Sequence, residues 1–276
     1  MGQIDWIMYL TATTFYALSS IVYIYCLVFK KEERISFAAN SALAGLLFHG
    51  ISIALRWAEV EHGPYISMFE ILSGYAWVSV AIFLIAQQKF EKIRIVGFIV
   101  MPVSFLIMGA GSTYSRDIQL LPASLRSYWL IAHAAFANLA FGSILVAVGI
   151  AVLYILKERH SDTVDSFYDR LPQLKVMDEL MYSFVASGLL FLTIMIGAGA
   201  IWANQTWGRY WGWDPTETWS LISWFVYGIC LHLRMNMGWT GKKVAWLIIF
   251  SIFVLAFSFL GVGYVYGGLH ADYLTS

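Results

Sequence analysis

Cysteine and charge are both scarce in this sequence. The two cysteines, Cys26 and Cys230, stand alone in apolar stretches without CxxC spacing. That argues against a disulfide framework, a zinc site or a covalent cofactor-attachment motif in the chain, and leaves both as small buried hydrophobes. Only 12% of the residues are charged and the net charge is zero, so nothing points to nucleic acid or to a uniformly charged partner. No internal repeat or low-complexity tract stands out. The opening MGQIDWIMYL carries Asp5 and no basic residue ahead of the apolar run. A cleavable signal begins with a positive region, so the first span is expected to be retained.

What fills the chain instead is apolar: 60% of its 276 residues are hydrophobic and 17% aromatic. That composition belongs to a polytopic membrane protein, here an all-α helical bundle forming a single membrane domain over 1–276. Eight apolar stretches approach the ~20 residues that cross a bilayer. They lie near 6–29, 36–55, 66–87, 93–110, 128–156, 178–202, 217–235 and 244–267. Between the fifth and sixth, Leu171, Leu174, Met177 and Leu180 recur at helical spacing, which predicts a short interfacial helix. His160, within KERHSD, is expected on the solvated surface.

The cations divide unevenly between the two sides. One side holds Lys30, Lys31, Arg34, Lys89, Lys92, Arg94, Lys157, Arg159, Arg170, Lys175, Arg234, Lys242 and Lys243, and the other only Arg56, Arg116, Arg126 and Arg209. By the positive-inside rule the first group faces the cytoplasm, so both termini face outward. A bacterial inner membrane is the expected location, with a thylakoid as the second choice.

The stretch from Trp202 to His232 has the strongest local character. Trp202, Trp207, Trp211, Trp213, Trp219 and Trp224 supply half of the chain's 12 tryptophans, interspersed with Gly208 and Gly212. Indoles offer flat apolar faces and glycines allow close approach, which suits a planar aromatic ligand. An interfacial aromatic belt is the other reading, although belts scatter their aromatics over many helices. Asp214, Pro215 and Glu217 fit N-cap, first and third helical positions, so the aromatic loop is predicted to end in a capping box.

The 6 histidines separate by depth. His133 falls just inside the outer end of the fifth span, and His270 follows Gly267-Gly268 at the outer end of the eighth. Two imidazoles flanking an aromatic loop form a bis-histidine cage for a haem iron; singly, each fits a polar helix cap. His232 lies 18 residues beyond Asp214, roughly 27 Å along a helix at 1.5 Å per residue, and so near the cytoplasmic side. His49 is expected in a helix–helix hydrogen bond and His62 in a turn. Glu70 needs a cationic partner inside the membrane, with Arg56 or Arg126 at its level.

The run Trp207-Gly208-x-Tyr210-Trp211-x-Trp213-Asp214-Pro215-x-Glu217-Thr218-Trp219, continuing to His232 and Arg234, resembles the WWD signature of haem-handling proteins. In detail it is similar to the CcsA (ResC) family of system II cytochrome c biogenesis. Arg56-Trp57, His62-Gly63-Pro64, Glu70, Ser127-x-Trp129-x-x-x-His133, Leu171-Pro172, Asp178-Glu179-Leu180 and the segment from Gly261 to His270 follow in the family's order. It departs at Thr216, where lysine is common in the family.

The resemblance implies that His133 and His270 ligate the iron of a haem b in transit. That haem, bound non-covalently, would rest against a WWD loop over 202–219, with Trp207, Trp211, Trp213, Asp214 and Trp219 around it. It also implies that His232 belongs to the haem access route. The implied partners are a CcsB (ResB)-like membrane protein, an apocytochrome c with CxxCH, and thiol-reducing proteins. The chain has no evident acid, base or nucleophile for thioether formation, so it is expected to act by positioning haem. The alternatives are a haem-binding regulator or exporter of the same superfamily (HemX-like or CcmC-like), and a haem-free membrane interaction protein.

Overall fold

The computed structural model describes residues 2–60, 62–63, 65–117, 122, 125–160 and 167–266. Eight long helices run through them: α1 (Ile4–Phe29), α2 (Ile35–Val60), α3 (Met68–Lys89), α4 (Gly97–Gly111), α5 (Tyr128–Arg159), α6 (Leu174–Trp207), α7 (Pro215–Met237) and α8 (Lys242–Ala256). A π-helical turn, Phe257–Gly261, and a last turn, Val262–Val265, extend α8. Short 3-10 turns at Glu32–Arg34 and Glu91–Val96 lead into α2 and α4.

Local chemistry sets most of the boundaries. Lys30 ends α1 in the left-handed region at φ 56°, its N–H on the Cys26 carbonyl. Ser67 and Glu70 form a capping box at the start of α3, satisfying two N–H groups that the helix leaves orphaned. Ser127 accepts the Trp129 N–H at the start of α5. Gly208 and Gly238 close α6 and α7 with φ of 73° and 66°, the left-handed geometry that favours glycine at a helix C-terminus.

The helices alternate in direction and α5 lies at the centre. Every residue from Ala140 to Ala151 is buried, as expected of a helix packed on all sides. α3, α4, α6 and α8 all pack against it, and α1 with α2 flanks them. At Gly142 the approach is close enough that a Cβ would stand 3.0 Å from the Ser79 Cα, so the α3–α5 crossing requires the small residue.

Two ends result. At the first, Arg116 pairs with Asp5 at 2.8 Å and Arg56 with Glu70 at 3.1 Å, while Ser127 donates to Gln205 at 2.8 Å. At the second, Asp178 pairs with Arg234 and accepts the Gly241 N–H at 2.8 Å, and Arg170 reaches Glu32 at 3.1 Å. Of the cations sorted by the sequence, the paired Arg56 and Arg116 lie at the first end and Arg170 and Arg234 at the second.

The expected bundle of about eight membrane helices stands: among the described residues seven helical segments are long and apolar enough to cross a membrane, and α7 has the length, at 23 residues, although its tryptophans, serines and charged ends make it less apolar. The structure corrects other expectations. Leu174, Met177 and Leu180 are the first turns of α6 itself, and among the described residues of the connector Phe167–Arg170 forms a separate 3-10 turn. The hydrophobic period seen there was that of α6, begun early. His160 is not freely solvated: its Nδ1 lies 2.7 Å from the Leu156 carbonyl and its ring stacks on Tyr168 at 4.4 Å. Trp202 and Trp207 belong to α6, so the loop proper is only Gly208–Asp214.

Candidate functional site: an aromatic pocket at one end of the bundle

The loop between α6 and α7 is held by the first turn of the helix that follows it. The Asp214 carboxylate accepts the Thr216 N–H at 3.0 Å. Glu217 reaches back to accept two N–H groups through one oxygen, from Asp214 at 3.1 Å and from Gly212 at 2.7 Å. This is the predicted capping box, extended by one bond into the loop. Between the two anchored N–H groups sits Trp213 at φ 58°, a left-handed conformation that costs a non-glycine residue about 1–3 kcal/mol and persists where its surroundings over-determine it.

Beside the first turn of α7 opens a pocket of about 160 Å³, smaller than the ~300–1,000 Å³ of typical small-molecule sites. His133 and Leu130 of α5, Met195 and Trp202 of α6, and Tyr75 of α3 line it. Ser258 and Phe259, on the π-helical turn, complete the wall; such turns recur where a helix is re-aimed at a site. A smaller recess beside it shares His133 and adds Trp211, Tyr210 and Thr216. The lining is largely apolar. The Ser258 hydroxyl is buried and makes no hydrogen bond within the described residues.

His133 is half-buried in the shared wall. Its Nδ1 lies 2.9 Å from the Met195 carbonyl. A carbonyl can only accept, so Nδ1 carries a proton, and a neutral ring so bonded has its lone pair on Nε2, the tautomer that a metal ligand requires. An imidazole, a largely apolar aromatic lining and an unmatched hydroxyl are thus gathered in one pocket wall.

The residues singled out by the sequence are only partly gathered here. Trp211 lines the recess. Trp207 packs edge-on to Trp202 with ring centres 5.0 Å apart, and Trp219 edge-on to Phe257 at 4.6 Å. Trp213 is 69% exposed and meets Trp211 at 90°. The indoles therefore do not make one flat shelf. Asp214 is buried as a cap. His232 is exposed on α7, its Nδ1 3.0 Å from the Asn236 amide, and the continuous helix carries it far from the pocket. His270 lies outside the described residues. Thr216, the departure from the family pattern, lines both cavities.

Elsewhere, His49 bridges helices as expected, with Nε2 2.8 Å from Ser73 and Nδ1 3.3 Å from Tyr16. Arg56, not Arg126, is the partner of Glu70, and it also donates to the Arg116 carbonyl at 2.7 Å. His62 lies in the turn before α3, with Nδ1 2.9 Å from the Gly63 carbonyl. Sequence reasoning missed Tyr75, Met195, Ser258 and Phe259. Nothing in their local pattern distinguishes them from core residues, because the crossing of α3, α5, α6 and α8 selects them.

Membrane-length helices closing at one end over an aromatic, histidine-bearing pocket define a polytopic α-helical integral membrane protein. The chain belongs to the cytochrome c assembly family: residues 6–270 match the family model described as Cytochrome C assembly protein. It is 32% identical to the cytochrome c biogenesis protein CcsA of Chlamydomonas reinhardtii, over 86% of this chain and 67% of that protein. It is 33% identical to the CcsA of Trieres chinensis, over 84% of each, and 32% identical to that of Gloeothece citriformis, again over 84% of each. Among solved structures, the cytochrome c haem lyase CcmF superposes with a TM-score of 0.74 at 17% identity. It covers 99% of this chain, which spans about half, 48%, of the CcmF chain. At that identity the likeness is one of fold.

Proposed function

We propose that this protein is the haem-handling subunit of a system II cytochrome c synthase, holding haem at the loop end of the bundle and presenting it to an apocytochrome c. The observation that carries the reading is the His133–Met195 contact. It fixes the imidazole in the wall shared by an apolar pocket and a recess that Trp211 of the tryptophan-rich loop lines, in a chain of the cytochrome c assembly family.

In this reading His133 ligates the iron of the haem substrate from α5, and His270 supplies the second axial imidazole. Trp211, Trp202 and Tyr75 exclude water and contact the ring faces. Burial of apolar surface contributes about 25 cal/mol per Å², so two porphyrin faces are held by several kcal/mol without any covalent bond. Occupation of both axial positions keeps the iron from oxygen chemistry until delivery. The chain's contribution to thioether formation is orientation: it offers the vinyl edge to the CxxCH thiols of the acceptor. The side rich in lysine and arginine faces the cytoplasm, which puts the loop and the pocket outside. A CcsB-like membrane protein and a thiol-reducing pathway complete the system.

The test is spectroscopic. Purified protein co-expressed with its membrane partner is expected to carry low-spin haem. His133→Ala and His270→Ala are each expected to lose that spectrum, with recovery on added imidazole. Wild-type spectra in both variants sink the ligand assignment. Loss of c-type cytochromes in a deletion strain separates a synthase subunit from a haem regulator or exporter, whose loss leaves them in place.

A further inference from the structure

Four small residues follow one another on α6: Gly197, Ala198, Gly199 and Ala200. Glycine is a poor helix former, and alanine at either glycine would improve the helix. Their surroundings differ. A Cβ added at Gly197 would meet nothing within 4 Å, whereas one added at Gly199 would stand 2.7 Å from the His133 Nδ1 and 3.1 Å from its Cε1.

Helix geometry explains the difference. Side chains tilt toward the N-terminus of their helix and cover the turn before their own Cα. Residue 199 is one turn after Met195, so its side chain would stand over the Met195 carbonyl. That carbonyl is the group to which His133, on the neighbouring helix, donates at 2.9 Å. Within α6 it already serves the helix ladder, and its second lone pair takes the imidazole proton. An imidazole reaches a backbone carbonyl in mid-helix only where that face is bare.

We propose that Gly199 is a positioning residue for His133: by leaving the Met195 carbonyl uncovered, it orients the ring, holds the proton on Nδ1 and keeps Nε2 as the nitrogen offered to the iron of a haem substrate. The inference rests on the reading of His133 as a ligand. A hydrogen-bond acceptor on the distal ring nitrogen raises ligand basicity, and loss of such a partner costs about 10–100-fold in metal affinity. A weaker imidazole donor also stabilises ferric iron less, so the midpoint potential rises.

Gly197→Ala and Gly199→Ala form a matched pair, since both improve helix propensity and only the second meets the imidazole. In full-length protein co-expressed with its membrane partner, Gly197→Ala is expected to keep wild-type haem affinity, spectrum and potential. Gly199→Ala is expected to lose about 10-fold or more in affinity, with a raised potential. Wild-type values in Gly199→Ala, alongside a lost low-spin spectrum in His133→Ala, overturn this inference and leave the ligand assignment standing. An unchanged spectrum in His133→Ala removes both. A readout on the wild-type chain avoids any folding defect. In haem-free protein labelled with ¹⁵N-histidine, the His133 signal, assigned by its absence from His133→Ala, is expected to show the proton on Nδ1. A proton on Nε2 overturns the proposal.

Discussion

The Glu217 carboxylate accepts the Gly212 N–H at 2.7 Å, five residues back across the only non-helical segment of the tryptophan-rich run. A capping residue is thereby also the clamp of the loop. Glu217→Ala removes the acceptor of both backbone N–H groups, those of Gly212 and Asp214, and releases the left-handed Trp213. We expect it to lower haem retention several-fold, because hydrogen bonds to a charged acceptor contribute about 1.5–3 kcal/mol. Glu217→Gln, which keeps an acceptor oxygen, should retain most of the haem. Equal losses in the two variants would show that the charge matters and the clamp does not.

Ser258 holds a buried hydroxyl that no described residue satisfies. An unmatched buried polar group costs about 1–3 kcal/mol. Ser258→Ala should therefore raise the melting temperature of haem-free protein while narrowing the stabilisation that haem confers. Ser258→Phe should block the pocket and abolish haem loading. Melting curves with and without haem check both, and an unaltered haem response in Ser258→Ala would place the hydroxyl outside the ligand's reach.

Arg56 and Glu70 are 6% and 1% exposed in their side chains, and each has backbone partners besides the other. Removing one member of such a buried pair costs about 3–5 kcal/mol, since the other is left uncompensated. Arg56→Met and Glu70→Leu should each destabilise strongly, and the double variant by clearly less than their sum. A double-mutant cycle on thermal unfolding measures the coupling; strict additivity would mean that the pair does not interact.

His232 is placed by a continuous helix roughly 27 Å from the loop, exposed and next to Asn236. If it serves haem access, His232→Ala should lower haem occupancy at the pocket without changing the low-spin spectrum. A normal haem load in that variant discards the role. Because the side chain faces away from the bundle, the effect should depend on co-expression with the membrane partner.

Much of this architecture is legible along the chain. The helix positions, the capping box at Asp214, the bridging role of His49 and the buried cysteines all follow from contacts within a few residues or from hydrophobic runs. Expectations that failed did so where a local pattern had two spatial outcomes. The period at Leu171–Leu180 suited a separate helix as well as an early start to α6, and the dense indoles suited a flat shelf as well as the edge-on pairs found.

The amino-acid sequence alone determined that the chain is a membrane bundle and that its strongest site signal lies between α6 and α7, because helix propensity, capping and hydropathy are properties of neighbours. Only the tertiary structure decided which groups meet. Met195 lends a carbonyl to His133, while Tyr75 and Ser258 share one pocket wall although they lie 183 residues apart. These meetings depend on the relative rotation and depth of α3, α5, α6 and α8. Side-chain packing between distant helices sets both quantities, and no local stretch of the chain encodes them by itself.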